Sequence, residues 1–187
     1  MNTVLNDVAI YDDFLNIYEV EEIENNLASS HNWGFQGSTD EGGFGNYKFL
    51  SLDLTENKFI TETIFEKVKN KIGENFAIDR VYANGQYFGM PGRPHNDHVK
   101  KDRYTFLIYV NSYWDMLWCG QTIFFNRYVE DSGKGGNLVI LNNDTKVVYP
   151  FPGRATFFPS NIIHYAESPS KDCFRFRFTV AYKLRKL

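Results

Sequence analysis

The stretch Pro94-His95-Asn96-Asp97-His98 places two imidazoles and a carboxylate within four residues. In an extended chain, residues i and i+2 point to one side. His95 and Asp97 can therefore converge on one cation while Asn96 points away. A third ligand must come from elsewhere. Of the four histidines (His31, His95, His98 and His164), His164 lies 164 − 97 = 67 residues beyond Asp97, in the run Asn161-Ile162-Ile163-His164. Two neutral imidazoles and one carboxylate form a facial triad, typical of non-haem Fe(II) centres, which leaves positions open for a bidentate ligand and dioxygen. Plainer readings stand beside this one. A short His/Asp cluster is often a solvated turn, and His164 in apolar company can be a satisfied core histidine. His98 would point to the opposite side of a regular strand. It is read as solvent-exposed, or as a substitute ligand only if the strand ends there. His31 is given no role.

A second constellation follows His164. In 173–182, Phe174, Phe176, Phe178 and Val180 share one face of an extended strand, and Arg175, Arg177 and Thr179 share the other. The ordinary reading is an edge with aromatics inward and arginines in water. The sharper one turns the arginine face into a barrel, where a guanidinium can pair bidentately with a carboxylate. Arg175, 175 − 164 = 11 positions after the histidine, is the first candidate, and Arg177 the second.

Elements must position these groups. Ile17, Val20, Ile23 and Leu27 recur at helical spacing after Asp12-Asp13-Phe14-Leu15. The glycine-rich segment 33–45 reads as a loop. Residues 55–76 predict a second helix with Phe59, Ile60, Ile64, Phe65, Val68 and Ile72 on one side, Thr55 as N-cap and Gly73 as stop. Beyond 76 come short apolar or alternating runs, 78–82, 104–110, 122–125, 138–141, 146–149, 155–158, 162–165 and 173–183. Turn signals separate them, among them Asn84-Gly85, Gly135-Gly136 and Asn142-Asn143-Asp144. About eight short strands at such spacing suggest a sandwich, jelly roll or barrel. No repeat or linker marks a boundary, so 1–187 is read as one domain, with 1–76 as helical support and 77–187 as the β-barrel core.

Composition limits the alternatives. A chain of 187 residues with 43% hydrophobic content is too apolar to be disordered and long enough for a sizeable core. Two cysteines exclude a disulfide framework and a four-cysteine zinc site. The net charge is 20 − 23 = −3, without the basic stripe of a nucleic-acid binder, so no nucleic acid is expected. Residues 1–47 hold nine acidic side chains and no Lys or Arg, which leaves 20 − 14 = +6 on the remainder. That split reads as an acidic face over a mildly basic body, or, more sharply, as a body that holds an anion. No run of 18 apolar residues and no basic leader occur, so neither a membrane span nor a signal peptide is expected, and the default location is cytoplasmic.

In order and spacing, these segments resemble the 2-oxoglutarate/Fe(II)-dependent dioxygenases, specifically their prolyl-hydroxylase-like branch. The resemblance runs from the Asp-Asp-Phe-Leu opening to Tyr182. It rests on 80–87 before His95-Asn96-Asp97, on Phe106-Leu107-Ile108-Tyr109-Val110-Asn111, on 150–158, on His164 and on the ending Arg175-Phe176-Arg177-Phe178-Thr179-Val180-Ala181-Tyr182. Cys119-Gly120-Gln121-Thr122 departs from the family's Gly-Gly-Glu-Thr-like segment at two of its four positions. The resemblance implies a mainly β fold with flanking helices, a double-stranded β-helix (jelly-roll barrel) preceded by two N-terminal helices. It implies Fe(II) on His95, Asp97 and His164, and the distal carboxylate of 2-oxoglutarate on Arg175, with Arg177 as runner-up. Tyr109 would donate a hydrogen bond to that carboxylate, and Tyr82 or Tyr87 would assist. Ascorbate is a further candidate cofactor. The implied reaction is oxidative decarboxylation of 2-oxoglutarate to succinate, coupled through dioxygen to hydroxylation of an unactivated carbon. The expected substrate is a prolyl or other residue of a peptide or protein, with a free amino acid or other small molecule next. A non-catalytic barrel that binds a ligand or partner is the alternative from another class. The aromatic segment 111–118 is read with equal weight as a substrate-facing lid or a cap on the core.

Overall fold

The computed structural model describes residues 3–37, 48–73, 75–132 and 136–187. Ten strands run β1 (Ala9–Tyr11), β2 (Gly34–Gly37), β3 (Lys48–Asp53), β4 (Phe76–Gln86), β5 (Arg103–Tyr109), β6 (Thr122–Asp131), β7 (Gly136–Val148), β8 (Ala155–Pro159), β9 (Ile162–Ala166) and β10 (Arg177–Lys186). They form a seven-stranded sheet in the order β1-β8-β5-β10-β4-β3-β2 and a three-stranded sheet in the order β7-β6-β9. Every neighbouring pair is antiparallel.

β10 is the central strand and shows how the sheet divides its labour. Phe178, Val180, Tyr182 and Leu184 join the apolar layer between the large sheet and the helices. Arg177, Thr179, Ala181 and Lys183 alternate with them and line a cavity on the other face. Burying each large apolar side chain contributes about 1.5–3 kcal/mol, so a one-residue slip, which would exchange the two faces, is strongly opposed.

Helix α1 (Ile17–Ser29) packs on this layer through Val20, Ile23 and Leu27. Asn16 caps it: its Oδ1 accepts from Glu19 N–H at 3.1 Å, while its own N–H donates to Glu19 at 3.0 Å. A π-helical turn (Phe59–Ile64) runs into α2 (Phe65–Ile72) and buries Ile60, Ile64 and Val68. Gly73, at φ 103°, ends α2 as expected. Thr55 is not the cap: its N–H bonds Asp53 Oδ1, and Asn57 accepts from Ile60 N–H instead.

Several boundaries differ from the sequence reading. Residues 1–76 are not purely helical support, and two helices do not simply precede the barrel. β1 extends the large sheet beyond β8, and β3 and β2 extend it beyond β4. The apolar/polar alternation of Leu50-Ser51-Leu52-Asp53 carried that signal. The expected loop 33–45 begins as β2, and its remainder from 38 on lies outside the described residues. The runs 138–141 and 146–149 are one strand. Asn142-Asn143-Asp144 forms an irregularity inside β7, opposite Asn126, where the register jumps from Phe125↔Thr145 to Arg127↔Ile140. Asn126 Nδ2 binds Asn142 Oδ1 there at 2.9 Å, so turn chemistry is used within a ladder. Asn84-Gly85 likewise lies inside β4. Gly85 lies at a tight spot, where a Cβ would sit 3.3 Å from Trp33 and 3.4 Å from both Leu50 and Phe178.

Candidate metal centre

His95 and Asp97 lie on an extended segment that is not a regular strand. It is tied to β9 and to the residue after β8 by backbone bonds. His95 N–H donates to His164 O at 3.0 Å, and His164 N–H returns to His95 O at 2.9 Å. Asp97 and His98 N–H both donate to Ser160 O, at 2.8 and 3.0 Å. This pairing across 164 − 95 = 69 residues brings the two imidazoles to a centroid distance of 4.7 Å.

The side chains are held just as firmly. His95 Nδ1 lies 2.6 Å from Arg93 O, and His164 Nδ1 lies 2.9 Å from Ile162 O. A nitrogen facing a carbonyl carries the proton, so each Nε2 is left as the lone-pair atom. Those atoms turn toward Asp97: His95 Nε2 is 3.4 Å from Oδ1, and His164 Nε2 is 3.6 Å from Oδ2. All three ligand atoms lie within 4.8 Å of one another. Three acceptor atoms converging, two of them on the buried side chains of Asp97 and His164, fit a divalent cation, which satisfies all of them at once. Among the described residues this is the one cluster of its kind.

Electrostatics agree with that fit. Burial against Phe124 and Phe158 pushes the pKa of His164 down to about 4, so its ring is neutral at pH 7. Burial also pushes His95 down, but the Asp97 carboxylate outweighs it and the net shift is upward. Burial raises Asp97, yet Lys183 and the two histidines overcome this and hold it well below the usual carboxylate range. Lys183 Nζ sits 2.5 Å from Asp97 Oδ2, and Thr105 Oγ1 donates to the same oxygen at 2.6 Å.

Farther along the cavity stands Arg177, 1% exposed. Its Nε donates to Gly120 O at 2.6 Å, Nη1 to Gln86 Oε1 at 2.8 Å and Nη2 to Thr122 Oγ1 at 3.0 Å. Burial lowers its pKa to about 10, which still leaves it cationic at neutral pH. Tyr109 is buried beside it, with its hydroxyl donating to Thr122 Oγ1 at 2.8 Å. Burial raises the Tyr109 pKa, which keeps the phenol a donor. Tyr82 lines the cavity near the triad, its ring 5.7 Å from Lys183 Nζ.

Arg175 is elsewhere. Its side chain is 38% exposed, 3.7 Å from Glu24 and 5.9 Å from the Tyr113 ring centroid, in a surface groove with Trp33 and Phe176. β10 begins at Arg177, so the two-residue alternation does not extend back to Arg175. Tyr87, 37% exposed, lies against Phe176. His98 accepts from Lys100 N–H and stands outside the triad, and His31 is exposed. The segment 111–118 divides. Trp114 is buried with its Nε1 donating to Cys119 O, while Tyr113, Met116 and Leu117 are exposed. Sequence reasoning missed Lys183, although it continues the inward series Arg177, Thr179, Ala181. It also missed Thr105 and Gln86, for which no local signal exists, and it gave Thr122 no role although Thr122 matches the end of the Gly-Gly-Glu-Thr-like segment.

No family model matches the chain, and no curated protein matches it. Solved structures do. The non-haem alpha-ketoglutarate-dependent epimerase SnoN from nogalamycin biosynthesis aligns with a TM-score of 0.72 at 13% identity, over 96% of this chain and 78% of that one. A Pseudomonas putida prolyl-4-hydroxylase gives 0.60 at 12% identity, over 97% and 93%. A Trichoplax adhaerens prolyl hydroxylase, in complex with a hypoxia-inducible-factor peptide fragment, gives 0.62 at 17% identity, over 99% and 88%. The fold is that of the 2-oxoglutarate/Fe(II) oxygenases, a jelly roll with helices on its large sheet.

Proposed function

We propose that this protein is an Fe(II)- and 2-oxoglutarate-dependent oxygenase that hydroxylates an unactivated carbon. The observation that carries the reading is one cavity with two carbonyl-tethered imidazoles and a carboxylate toward one end, and a buried cationic arginine farther along it. His95 Nε2, His164 Nε2 and Asp97 would hold the iron. When bound, iron and 2-oxoglutarate together supply oxidative decarboxylation and the activation of dioxygen.

The chain's own residues then have distinct tasks. Arg177 would hold the distal carboxylate of 2-oxoglutarate through donors now spent on Gln86 and Thr122. Tyr109, reaching Thr122, adds a neutral donor beside it. Tyr82 flanks the triad. Arg175, held by Glu24 at the surface, is not proposed as the anchor. The half-exposed His95 side chain marks where the centre opens, and substrate enters over it.

The substrate we propose is a prolyl or other residue of a peptide or protein. Two of the similar structures are prolyl hydroxylases, one of them with a peptide fragment bound. A small molecule is the second reading, supported by the SnoN complex with nogalamycin RO. Succinate formation with Fe(II), 2-oxoglutarate and oxygen tests the reading, in the presence of proline-containing peptides or free amino acids. Wild-type protein should exceed His95→Ala. Equality of the two under every condition would remove the enzyme reading and leave a ligand-binding barrel.

A further inference from the structure

Among the described residues that line the cavity, Lys183 is the one cation that the reaction outlined above does not use. It reaches the triad from the centre of the large sheet, opposite Thr105 in the β10–β5 register. Its side chain is 18% exposed. Its ammonium touches Asp97 Oδ2 at 2.5 Å and lies 3.3 Å from Thr105 Oγ1. With Thr105 also donating to Oδ2 at 2.6 Å, that oxygen is occupied twice, and Oδ1 is left facing His95. The charge count changes as well. Two neutral imidazoles and one carboxylate carry −1, but with the ammonium the group sums to zero. A divalent cation added to it therefore keeps its full +2 against whatever binds next, and the buried side of the site, at Asp97 and His164, screens that charge less than water would.

We propose that Lys183 is a positioning residue of the metal centre, which directs Asp97 through Oδ2 and offsets its charge so that the loaded site takes an anionic chelating ligand in preference to a neutral one. This rests on the metal-centre reading above. It adds that the preference is set from outside the ligand set, independently of Arg177.

The test uses cobalt(II)-loaded full-length protein, with the visible absorption of the metal as readout, and two probes: oxalate, a small dianion that binds at the metal, and imidazole, which is neutral. Lys183→Met removes the charge at similar length, and Lys183→Arg keeps it. The oxalate-to-imidazole affinity ratio should fall about tenfold or more in Lys183→Met, the scale on which partners of metal ligands act. It should stay within about threefold of wild type in Lys183→Arg. A ratio unchanged in Lys183→Met would overturn the proposal, as would an equal loss in both variants. If Lys183→Met does not fold, Lys183→Gln is measured against the same thresholds. Failure of wild-type protein to bind cobalt at all would sink the metal-centre reading itself, and so is distinct from either result.

Discussion

Two arginines one turn of the pleat apart have different fates. Arg177 directs all three of its donor nitrogens into the protein, while Arg175 faces solvent and Glu24. The affinity of manganese(II)-loaded protein for 2-oxoglutarate, read by titration calorimetry, should fall about ten- to a hundredfold in Arg177→Met, since hydrogen bonds to charged groups contribute about 1.5–3 kcal/mol. Arg175→Met should change it less than about threefold, in line with the small energies of exposed ion pairs. The reverse order would return the anchor to Arg175. A second prediction concerns His164. Its folded pKa of about 4 lies below that of an unfolded histidine, so the unfolded chain binds more protons between pH 6.5 and 4. Stability contributed by the neutral ring is thus present above pH 6.5 and lost as pH falls toward 4, by at most about 3.5 kcal/mol. Urea unfolding of metal-free protein should show this slope, and His164→Asn should flatten it. The triad itself was legible because His-x-Asp puts two ligands on one side of any extended segment. The choice between arginines was not, because it depends on where β10 starts, a boundary set by Asn111. That side chain accepts from Phe178 N–H at 2.7 Å and donates to Phe176 O at 2.8 Å, a contact across 67 residues that no local pattern carries.

At the scale of elements, the cavity depends on a turn. Cys119 and Gly120, at φ 60° and 78°, bring the chain from the aromatic segment into β6, and Gly120 O receives Arg177 Nε. A Cβ on Gly120 would lie 3.0 Å from Trp114 and 3.1 Å from Arg177 Cδ, in a backbone region that penalises any side chain. Gly120→Ala should cost about 1–3 kcal/mol by chemical denaturation. It should also weaken 2-oxoglutarate binding, because the displaced atoms belong to the anchor. A stable variant with normal affinity would show that the turn does not position Arg177. Here the sequence was partly legible. Glycine marked a turn, and the inward Arg/Thr/Ala/Lys row followed from a period of two. Yet Asn84-Gly85 and Asn142-Asn143-Asp144 carry the same turn residues inside strands. Local chemistry there is overridden by the Trp33 and Phe178 rings in one case and by Asn126 in the other. The strands within 1–76 were hidden for a related reason: β1 has three residues and exists only because β8 offers it an edge.

For the molecule as a whole, the centre joins parts that are otherwise separate. Asp97 belongs to a segment outside both sheets, His164 to the three-stranded sheet, and Lys183 and Arg177 to the seven-stranded one. The apolar layer under the helices is built from the large sheet alone, and a smaller cluster around Tyr109, Phe124, Phe158 and Ile162 fills the space between the sheets. Binding to the folded state stabilises whatever must stay closed for the ligands to meet. Hydrogen exchange with and without manganese(II) reads this directly. The amides of His95, Asp97, His98 and His164, which form the bonds between the ligand segment, β9 and Ser160, should gain protection on loading. Those of Val180 and Tyr182, already in the most deeply packed strand, should change little. His95→Ala should abolish the gain. A uniform rise across both sheets would mean that the metal stabilises the fold globally. A rise confined to the ligand segment and β9 would identify that pairing as the hinge on which the centre assembles, with the seven-stranded sheet as its fixed half.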